Sequence, residues 1–335
     1  MKVFISKTDI SHLLTRCTWS GSRLQVARRL EFEFVQDDRD PNIPVIEFEC
    51  GHTVRGYNDK AKGSDDTDNM VFIGNIYKVE RSRKNGRVSV VAYDHLHVLG
   101  VSKTTRKFTN VKPEDIAGQI CQELGVKAGT FAKTDTPVSF IANAKTGYQI
   151  IQSAYFEAGK TTKKKYHPIM NGDKLDVIEK GELIKDKDTN ENYTADSSSN
   201  MLDSVYRESI EKLINQILVV DDKGNTVSIQ KDDESIKKYS MFQDIYKTDP
   251  NKDTQTEIKD ILEKHKIERG GSIIVLGDYR VKSSYSIIVK DSLFKGQFWI
   301  KTDTHSFIDG KHEMRLELEF ENVMNEEKAE KEKSK

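Results

Sequence analysis

The chain has 335 residues, with 53 Lys and Arg against 54 Asp and Glu, so its formal net charge is -1. This balance lacks the broad positive field by which nucleic-acid-binding proteins attract phosphate, and we expect no nucleic-acid partner. Charged residues make up 32% of the chain and the mean hydropathy is -0.65. No apolar run approaches the roughly 20 residues that cross a bilayer, so we expect no membrane insertion. The length allows two or three domains, each with its own core.

The N-terminal sequence MKVFISKTDISHLL lacks the apolar stretch and small-residue cleavage site of a signal peptide, which predicts synthesis in the cytoplasm. Three cysteines, Cys17, Cys50 and Cys121, lie far apart and form no C-x-x-C pair. Because their number is odd and their spacing is wide, we expect reduced, partly buried thiols.

The first hundred residues alternate apolar and polar side chains, which is the period of a half-buried strand. In RLEFEFV, residues 29–35, leucine and phenylalanine share one face and the glutamates occupy the other. The pattern recurs in VIEFEC, HTVRGY, VFIGNIYKV and RVSVVAY, and the link between the last two holds Asn85 and Gly86, a pair suited to a tight hairpin. Short strands in close succession predict a small antiparallel barrel or sandwich, which we place at residues 1–105.

Helical patterns then replace the strand pattern. One helix is predicted to begin at Pro113 and to end before Gly125, with apolar residues recurring every four positions. A second is predicted to begin at Thr146, which has Gln149 in capping-box register, and to stop at Gly159. The segment KYHPIMNGDKLDVIEKG that follows is typical of a hairpin with an Asn-Gly turn. Together these elements predict a small α/β module, which we place at residues 106–184.

A polar linker leads to a second strand-rich region. Strands are predicted in QILVVDDKGNTVSIQ, with DDKGN as the turn. One helix is predicted to interrupt them, beginning in a capping box of Thr254 and Glu257 and ending at Gly270 and Gly271. Residues 185–324 are therefore predicted to form a second barrel with a helical insertion. The charged residues 325–335 have no apolar face and are predicted to be a disordered tail.

Two distant stretches, residues 71–94 and residues 293–320, resemble each other. Both contain Phe, a variable residue, Gly, a polar residue, an apolar residue and an aromatic residue, and then alternate into a turn that holds Gly. The two glycines are 12 residues apart in the first stretch and 14 in the second, which a hairpin longer by one residue on each strand would explain. The matched residues are Phe72 and Phe294, Gly74 and Gly296, Tyr77 and Trp299, and Gly86 and Gly310.

This similarity has two explanations. Any two antiparallel hairpins share part of such a pattern, so it could arise without duplication. A duplicated barrel, with one copy near each end of the chain, also explains why a similar strand precedes each stretch, TVRGYND in one case and SIIVKD in the other. Three subunits with two equivalent barrels each would present six barrels in a ring, so a trimer could dock on a sixfold partner.

No motif predicts catalysis or a cofactor. EAGKTTK, residues 157–163, has the end of a P-loop, but the first glycine of that motif falls at Ala154 and the segment ends a helix. Acidic residues are abundant, yet nothing places two of them in a cleft, and the sequence G-x-S-x-G is absent. We therefore predict no catalytic residue, no bound cofactor and no enzymatic activity.

Two histidine pairs could in principle bind a metal ion. His95 and His97 would share one face of a strand, and His305 and His312 lie close together in the second repeat stretch. No cysteine or carboxylate stands at ligand spacing, so we favour packing or hydrogen bonding and predict no metal site. For Thr304 and His305 we expect a role in fixing a turn.

The C-terminal stretch carries a recognisable pattern of a Gly-containing strand, a G-x-[FY]-[YW]-[IV] strand, a TH-x-[FW] segment and G-x-H-x-M-x-L-x-L. On these motifs the chain resembles the XkdQ/YqbQ family of Gram-positive prophage tail proteins, related to the late-control D proteins and to the hub of contractile phage baseplates. The chain departs from the family pattern at Ser283–Tyr285, where a Pro-Gly or Gly-Asp turn is more usual. The resemblance covers about residues 30–320, and its motif residues here are Gly277, Gly296, Trp299, Thr304, His305, Gly310, His312 and Met314.

The resemblance implies a mainly β fold in which two related tube-type antiparallel β-barrels flank a small α/β domain. It also implies a homotrimer in the baseplate of a virion or of a tail-like particle such as a bacteriocin. Such a trimer would join the hexameric tail tube to the trimeric central spike, and other baseplate proteins and the tape measure are further expected partners. The alternative is a cell-wall-binding or peptidoglycan-degrading tail protein, with the α/β module gripping the wall.

Overall fold

The structure is a computed structural model that describes residues 1–36, 45–186, 189–249 and 253–322. The chain forms two compact units, a large one that runs from Met1 to Ser204 and resumes at Ser272, and a small one over Val205–Gly271. The helices are α1 (Leu96–Val101), α2 (Pro113–Glu123), α3 (Gly147–Thr162), α4 (Asp233–Tyr239) and α5 (Thr254–Lys264). The strands are β1 (Lys2–Ile5), β2 (Thr8–Asp9), β3 (Leu14–Ser22), β4 (Arg29–Val35), β5 (Thr53–Tyr57), β6 (Met70–Arg81), β7 (Arg87–Asp94), β8 (Lys103–Val111), β9 (Lys127–Phe131), β10 (Val138–Thr146), β11 (Tyr166–Asn171), β12 (Lys174–Glu179), β13 (Thr194–Asp196), β14 (Met201–Ser209), β15 (Gln216–Val220), β16 (Thr226–Lys231), β17 (Gln243–Lys247), β18 (Glu268–Leu276), β19 (Ser286–Lys290), β20 (Lys295–Ile308) and β21 (Lys311–Glu319).

Thirteen strands form one curled, largely antiparallel sheet in the order β14-β18-β21-β20-β3-β4-β7-β6-β5-β1-β2, with β19 and the short β13 off this path. The fold is therefore mainly β, which confirms the predicted fold class. Strand β4 illustrates why the sheet forms, because its alternating Leu30, Phe32 and Phe34 are all fully buried while its glutamates lie on the other face. The two predicted barrel regions are joined within this sheet, since β3 pairs with β20.

Three large hydrophobic cores and a small cluster of Phe4, Tyr57 and Ala61 lie among the described residues of the large unit. The N-terminal core is built from strands β1 to β7 and includes Trp19, Phe32 and Val90. The C-terminal core is built from strands β13 and β18 to β21 and includes Ile287, Ile300 and Leu316. The third core belongs to the α/β module and fills the space between its helices and strands.

The α/β module follows the predicted elements closely. Helix α2 begins with Pro113 in its first turn, and Gly125 takes a positive φ of +69° just beyond its end. Helix α3 begins with the predicted capping box, in which the Thr146 side chain accepts from the Gln149 N–H and the Gln149 side chain accepts from the Thr146 N–H. Strands β8 and β10 form a pair, and β11, β12 and β9 form a three-stranded sheet.

One predicted helix end and one predicted strand were wrong in this part of the chain. Helix α3 does not stop at Gly159 but continues to Thr162, where Lys163 adopts the left-handed conformation and donates its N–H to the Gly159 carbonyl. The predicted strand VIEFEC does not form, because the described residues 45–50 pair with no ladder. Its alternation instead buries Phe48, whose ring centroid lies 5.9 Å from that of Phe34.

The small unit is more than the single predicted helical insertion. It contains the three-stranded sheet β16-β15-β17 together with helices α4 and α5. The predicted DDKGN turn does join β15 to β16, but the parallel partner β17 comes from further along the chain. Helix α5 is capped by the side chain of Asp253, one residue before the predicted cap, and Gly270 and Gly271 lie inside β18 and do not end the helix.

Candidate functional site: matched meanders and their buried seam

The two stretches with similar sequence form the same kind of three-stranded antiparallel meander. In the N-terminal meander β6 lies between β5 and β7, and in the C-terminal meander β20 lies between β19 and β21. The strand that precedes each stretch in sequence is therefore also its neighbour in space. The matched glycines both stand early in the central strand, where Gly74 pairs with Val54 and Gly296 pairs with Val289.

The difference in length between the meanders does not come from one added residue on each strand, as the spacing had indicated. Strand β20 continues for 12 residues beyond Gly296, whereas β6 continues for 7 residues beyond Gly74. The connecting loop is correspondingly shorter, with two residues in place of five. Asp309 and Gly310 both take positive φ, at 50° and 72°, as a two-residue type I′ turn requires, and Gly86 takes a φ of 64° in the longer loop.

Because β20 is long, one of its two edges pairs with two different strands, while β21 occupies the other edge. Its first half, from Lys295 to Trp299, pairs with β19 in the C-terminal meander. Its second half, from Thr302 to Phe307, pairs with six residues of β3 in the N-terminal region. A register shift between Ile300 and Thr302 on the β21 side separates the two halves. We call the β3–β20 ladder and the polar side chains behind it the seam.

A buried ion pair lies at the centre of the seam. The guanidinium of Arg28 donates two hydrogen bonds to the carboxylate of Asp303, one of them an Nη1–Oδ1 contact of 2.9 Å. The same carboxylate accepts from the backbone N–H of Ser283 at 2.6 Å, and both charged side chains are buried. Burial by itself raises the pKa of Asp303, but the Arg28 charge and hydrogen bonds outweigh it and hold that pKa well below the usual range. Asp303 therefore stays ionised in the fold.

Two histidines continue this polar cluster toward the surface. His305 Nε2 lies 2.9 Å from the carbonyl oxygen of Val281, and His305 Nδ1 lies 3.0 Å from His312 Nε2. Because a carbonyl can only accept, His305 carries its proton on Nε2, and His312 then donates from Nε2 to the free Nδ1. Burial and the neighbouring His305 lower the pKa of His312 to about 4, so this neutral arrangement holds at neutral pH.

Aromatic rings enclose the cluster. The guanidinium carbon of Arg28 lies 4.2 Å above the Trp19 ring, and the Trp19 ring lies 4.7 Å from that of His305. Tyr279 contacts His312 at a ring distance of 4.6 Å, and its hydroxyl donates to Asp59. These contacts bury Asp303 and His305, whereas His312 at the outer end of the hydrogen-bonded chain is only partly buried.

Several motif residues of the C-terminal stretch meet at this seam. A Cβ atom at Gly277 would overlap the His312 ring, and the Gly277 N–H donates to the His312 carbonyl at 2.8 Å. The fully buried Met314 lies opposite His305 in the β20–β21 ladder. Thr304 and His305 themselves lie within β20, but the His305 ring hydrogen-bonds the carbonyl of Val281, which closes the turn that begins at Asp278. Thr304 pairs with Ser20 on β3 and so belongs to the seam as well.

The other predicted residues lie outside the seam. Trp299 is half-buried, and a Cβ atom at Gly181 would lie 2.5 Å from its indole nitrogen, whereas its neighbour Phe298 is buried in the C-terminal core. His95 and His97 do not share a strand face, because they lie at the start of helix α1, where the His97 ring stacks on that of Tyr93. The P-loop-like segment 157–163 ends helix α3, as its sequence indicated.

A second ionic anchor ties the α/β module to the C-terminal strands. Glu319 on β21 accepts from Arg23 Nε at 2.6 Å and pairs with Lys180 Nζ at 3.3 Å. The Lys180 side chain is almost completely buried, and this burial lowers its pKa to about 8 despite the carboxylate of Glu319. Charge therefore holds the module against β21 of the C-terminal meander, and packing with Ala27 and Tyr93 holds it against the N-terminal region.

Sequence reasoning missed Arg28, Asp303 and Lys180. Asp303 could not have been found from alternation, because continuing the pattern of Phe298 and Ile300 places Thr302 inward, and only the register shift after Ile300 turns Asp303 to the buried face. A carboxylate on such a face needs a cation, but nothing in the sequence identifies Arg28, which is 275 residues away, as its partner.

The seam is suited to a structural role, because Asp303 and His305 are fully buried and a substrate could not reach them. Within the described residues no group of three or more His, Cys, Asp or Glu side chains is arranged to hold a metal ion. No helix of the described part of the chain is long and apolar enough to span a membrane. The thiols of Cys17 and Cys121 are buried, which raises their pKa values to about 12 and about 11, and Cys50 is exposed.

Comparison with known proteins identifies relatives along almost the whole chain. The phage-like element PBSX protein XkdQ of Bacillus subtilis is 23% identical over 318 residues, covering 91% of this chain and 92% of that protein. Among solved structures, the 43 kDa tail protein of prophage MuSo2 from Shewanella oneidensis superposes with a TM-score of 0.67 at 11% identity, covering 95% of this chain and 97% of that one.

A third similar structure is the E. coli c3393 protein, a type VI secretion system component described as structurally similar to the T4 tail proteins gp27 and gp5. It has a TM-score of 0.53 at 10% identity, and the match covers 94% of this chain and 75% of that one. The overall fold is thus shared with a prophage tail protein and with a type VI secretion system component. The model of the YQBQ-like family matches residues 17–319, and the chain belongs to that family.

Proposed function

We propose that this protein is a structural component of a phage tail or tail-like particle and, more narrowly, the hub of its baseplate. In this role a homotrimer joins the hexameric tail tube to the trimeric central spike, without enzymatic turnover. Residues 1–105 and the strands of residues 185–324 supply the two tube-type domains, and residues 106–184 supply a module beside them. The protein acts within the assembled particle after synthesis in the bacterial host.

One observation carries the proposal, namely that a single chain holds two meanders of the same strand order in one continuous sheet. Three such chains would present six similar meanders, with N-terminal and C-terminal ones alternating around a ring. This arrangement approximates the sixfold symmetry of the tube and keeps a true threefold axis for the spike. The seam supports this role, because a buried ion pair fixes one relative orientation of the two meanders. A ring contact made by both meanders requires such a fixed orientation.

The comparisons add independent support of two kinds. The relative from Bacillus subtilis belongs to a phage-like element and matches along nearly its entire length. The tail protein from prophage MuSo2 and the protein described as similar to gp27 and gp5 have the same overall fold. Nothing in the described residues or in these comparisons favours the cell-wall alternative.

The proposal is tested in the assembled particle. Antibody labelling and electron microscopy should place the protein at the tip of the tail tube, next to the spike. Deletion of its gene should stop assembly before tube polymerisation, whereas a point variant of exposed Leu24 should assemble normally. Complete tails with an intact tip in the deletion strain, or label along the tube, would refute the hub assignment.

A further inference from the structure

Asp94 is a buried carboxylate at the point where the N-terminal meander meets the α/β module. It is the last residue of β7, it pairs with Gly74 on β6, and only 2% of its surface is exposed. Its main-chain N–H donates to the carbonyl oxygen of Arg28 at 3.1 Å, which extends the pairing of β7 with β4 by one residue. Helix α1 begins two residues later, and its Leu96 and Leu99 are buried in the core of the α/β module.

Each carboxylate oxygen of Asp94 accepts a hydrogen bond from a different part of the chain. Oδ2 accepts from the backbone N–H of Arg28 at 3.1 Å, and Oδ1 accepts from the backbone N–H of Leu96 at 3.1 Å. The Gly147 N–H at the start of α3 donates to the carbonyl oxygen of Ser102 just after α1 at 3.0 Å. One carboxylate therefore ties α1, and through it the α/β module, to the residue that supplies the cation of the seam.

The negative charge of Asp94 has no cation of its own. Within the part of the chain that the structure describes, no lysine or arginine side chain forms an ion pair with it, because the guanidinium of Arg28 is bound to Asp303. Burial raises the pKa of Asp94 to about 7, and the N–H groups of Arg28 and Leu96 and the Arg28 charge offset this rise only in part.

The other titratable groups around Asp94 do not replace the missing cation. By sequence and register they are Arg29 and Glu31 on β4, Tyr77 on β6, and His95 and His97 at the start of α1. Arg29 pairs with Glu31 at 3.0 Å. Burial lowers the pKa of both histidines, which are therefore neutral at pH 7. Burial and the charge of Asp94 raise the pKa of Tyr77, so its hydroxyl stays protonated as well.

Neither protonation state of Asp94 satisfies all of its surroundings. The ionised carboxylate accepts both hydrogen bonds but leaves a charge buried without a counter-ion. The protonated carboxyl carries no charge, but one of its oxygens then becomes a donor that faces an N–H donor. One of the two N–H groups therefore loses its partner when the proton is bound.

We propose that Asp94 is a proton-operated switch, which holds the first turn of α1 against Arg28 when it is ionised and releases this turn when it is protonated. The partner released is the N–H of Leu96, because Arg28 is fixed from two further sides. Its side chain pairs with Asp303, and its carbonyl oxygen accepts from the Asp94 N–H. As the pH falls through about 7, the proton is taken up and the α/β module is joined less firmly to the N-terminal meander. The switch lies within one chain and does not depend on the proposed hub role.

The test follows hydrogen–deuterium exchange of the full chain at about pH 8.5 and about pH 5.5, with rates corrected for the intrinsic effect of pH. Peptides that cover α1 should lose about fivefold in protection at the lower pH, which corresponds to one hydrogen bond, whereas peptides of β4 should not change. Asp94→Asn imitates the protonated state, because an amide accepts through one oxygen only, and its α1 should exchange at the faster rate at both pH values. The matched control, Asp135→Asn, removes an exposed carboxylate from the same module and should respond to pH as the wild type does.

Infrared spectroscopy of the wild type covers the case in which Asp94→Asn does not fold. The carbonyl band of a buried carboxylic acid should be present at about pH 5.5 and should disappear as the pH rises to about 8.5. A wild type that lacks this band, or whose α1 is equally protected at both pH values, would overturn the switch. A folded Asp94→Asn chain in which α1 is as well protected as in the wild type at the higher pH would overturn it too, because the hydrogen bond from Leu96 would then not depend on the second oxygen.

Discussion

The N-terminal and C-terminal meanders have the same strand order but use their matched glycines differently. A Cβ atom at Gly74 would overlap the carbonyl oxygen of Tyr93 and lie 2.6 Å from the carbonyl carbon, so the backbone of the neighbouring strand leaves no space there. At Gly296 the nearest atom would be 3.9 Å away, but the backbone has a φ of +135°, which L-residues rarely adopt. One glycine is needed for close approach and the other for backbone conformation.

This difference teaches that equal residues at matched positions need not have equal physical roles. The sequence pattern reports a common topology, since both glycines stand early in the central strand of a meander. In the C-terminal meander the long central strand β20 also pairs with β3 across the seam, and the N-terminal meander has no equivalent pairing of its central strand. The variants below separate what the two meanders share from what each does alone.

The largest effect is expected when one partner of the seam ion pair is removed. Arg28→Met leaves the carboxylate of Asp303 buried without a cation, and we expect a loss of about 3–5 kcal/mol in the free energy of unfolding. Adding Asp303→Leu should recover most of this loss, because no charge then remains buried. Denaturant titration measures both values, and Arg87→Met, which removes a half-exposed pair with Glu33, serves as the control with a loss below about 1 kcal/mol.

If Arg28→Met and the double variant are equally unstable, the seam depends on side-chain shape and not on charge.

The comparison of the double variant with the wild type has a second use. Because its meanders have lost the ion pair that orients them, it should assemble into particles less well than its stability alone would predict.

The next effect concerns the glycines themselves. Gly74→Ala should cost about 3 kcal/mol, because the backbone of Tyr93 has to move. Gly296→Ala should cost about 1–2 kcal/mol, because only the backbone conformation is strained. Gly63→Ala is the control, since an added Cβ there meets no atom within 4 Å, and thermal or denaturant unfolding should detect almost no change. Equal losses at Gly74 and Gly296 would contradict the two different roles.

The smallest effect is a pH dependence of the C-terminal meander. The pKa of His312 is lowered to about 4 in the fold, whereas the unfolded side chain takes up a proton near the ordinary histidine pKa of 6.5. The stability that neutral His312 contributes is therefore complete above about pH 6.5 and is lost as the pH falls towards about 4. Between about pH 7.5 and pH 5 we expect a loss of about 1–2 kcal/mol, reduced by the partial exposure of the ring.

His312→Gln provides the comparison, because its side-chain amide can still donate to His305. Its unfolding free energy should fall less between the same two pH values than that of the wild type. Parallel curves for the two proteins would show that His312 contributes nothing to the pH dependence.

The sequence predicted the elements that depend on local chemistry. The capping box of Thr146 and Gln149 marks the start of α3, and the alternation of β4 identifies its buried face, since both involve neighbouring residues only. The strand predicted at residues 45–50 failed because alternation reports a buried face but not a pairing partner. The cap of α5 was misplaced by one residue because Asp253 is a better N-cap than Thr254 at that position.

The seam could be predicted only in part. The motif around His305, His312 and Met314 is visible in the sequence, but the alternation of a single strand cannot say which other strand lies beside it. The pairing of β20 with β3 joins residues about 280 positions apart, so only the folded chain brings Arg28 to Asp303. The seam is therefore a product of tertiary structure that a local pattern does not contain.

The double pairing of β20 has a mechanical consequence. One uninterrupted covalent strand, from Lys295 to Ile308, runs out of the C-terminal ladder and into the N-terminal one. A force that pulls the two cores apart along this strand loads all six residue pairs of the β3 ladder at once, in shear, and cannot unzip them one at a time. The two cores are therefore joined by a strand pairing that resists separation along the direction of β20.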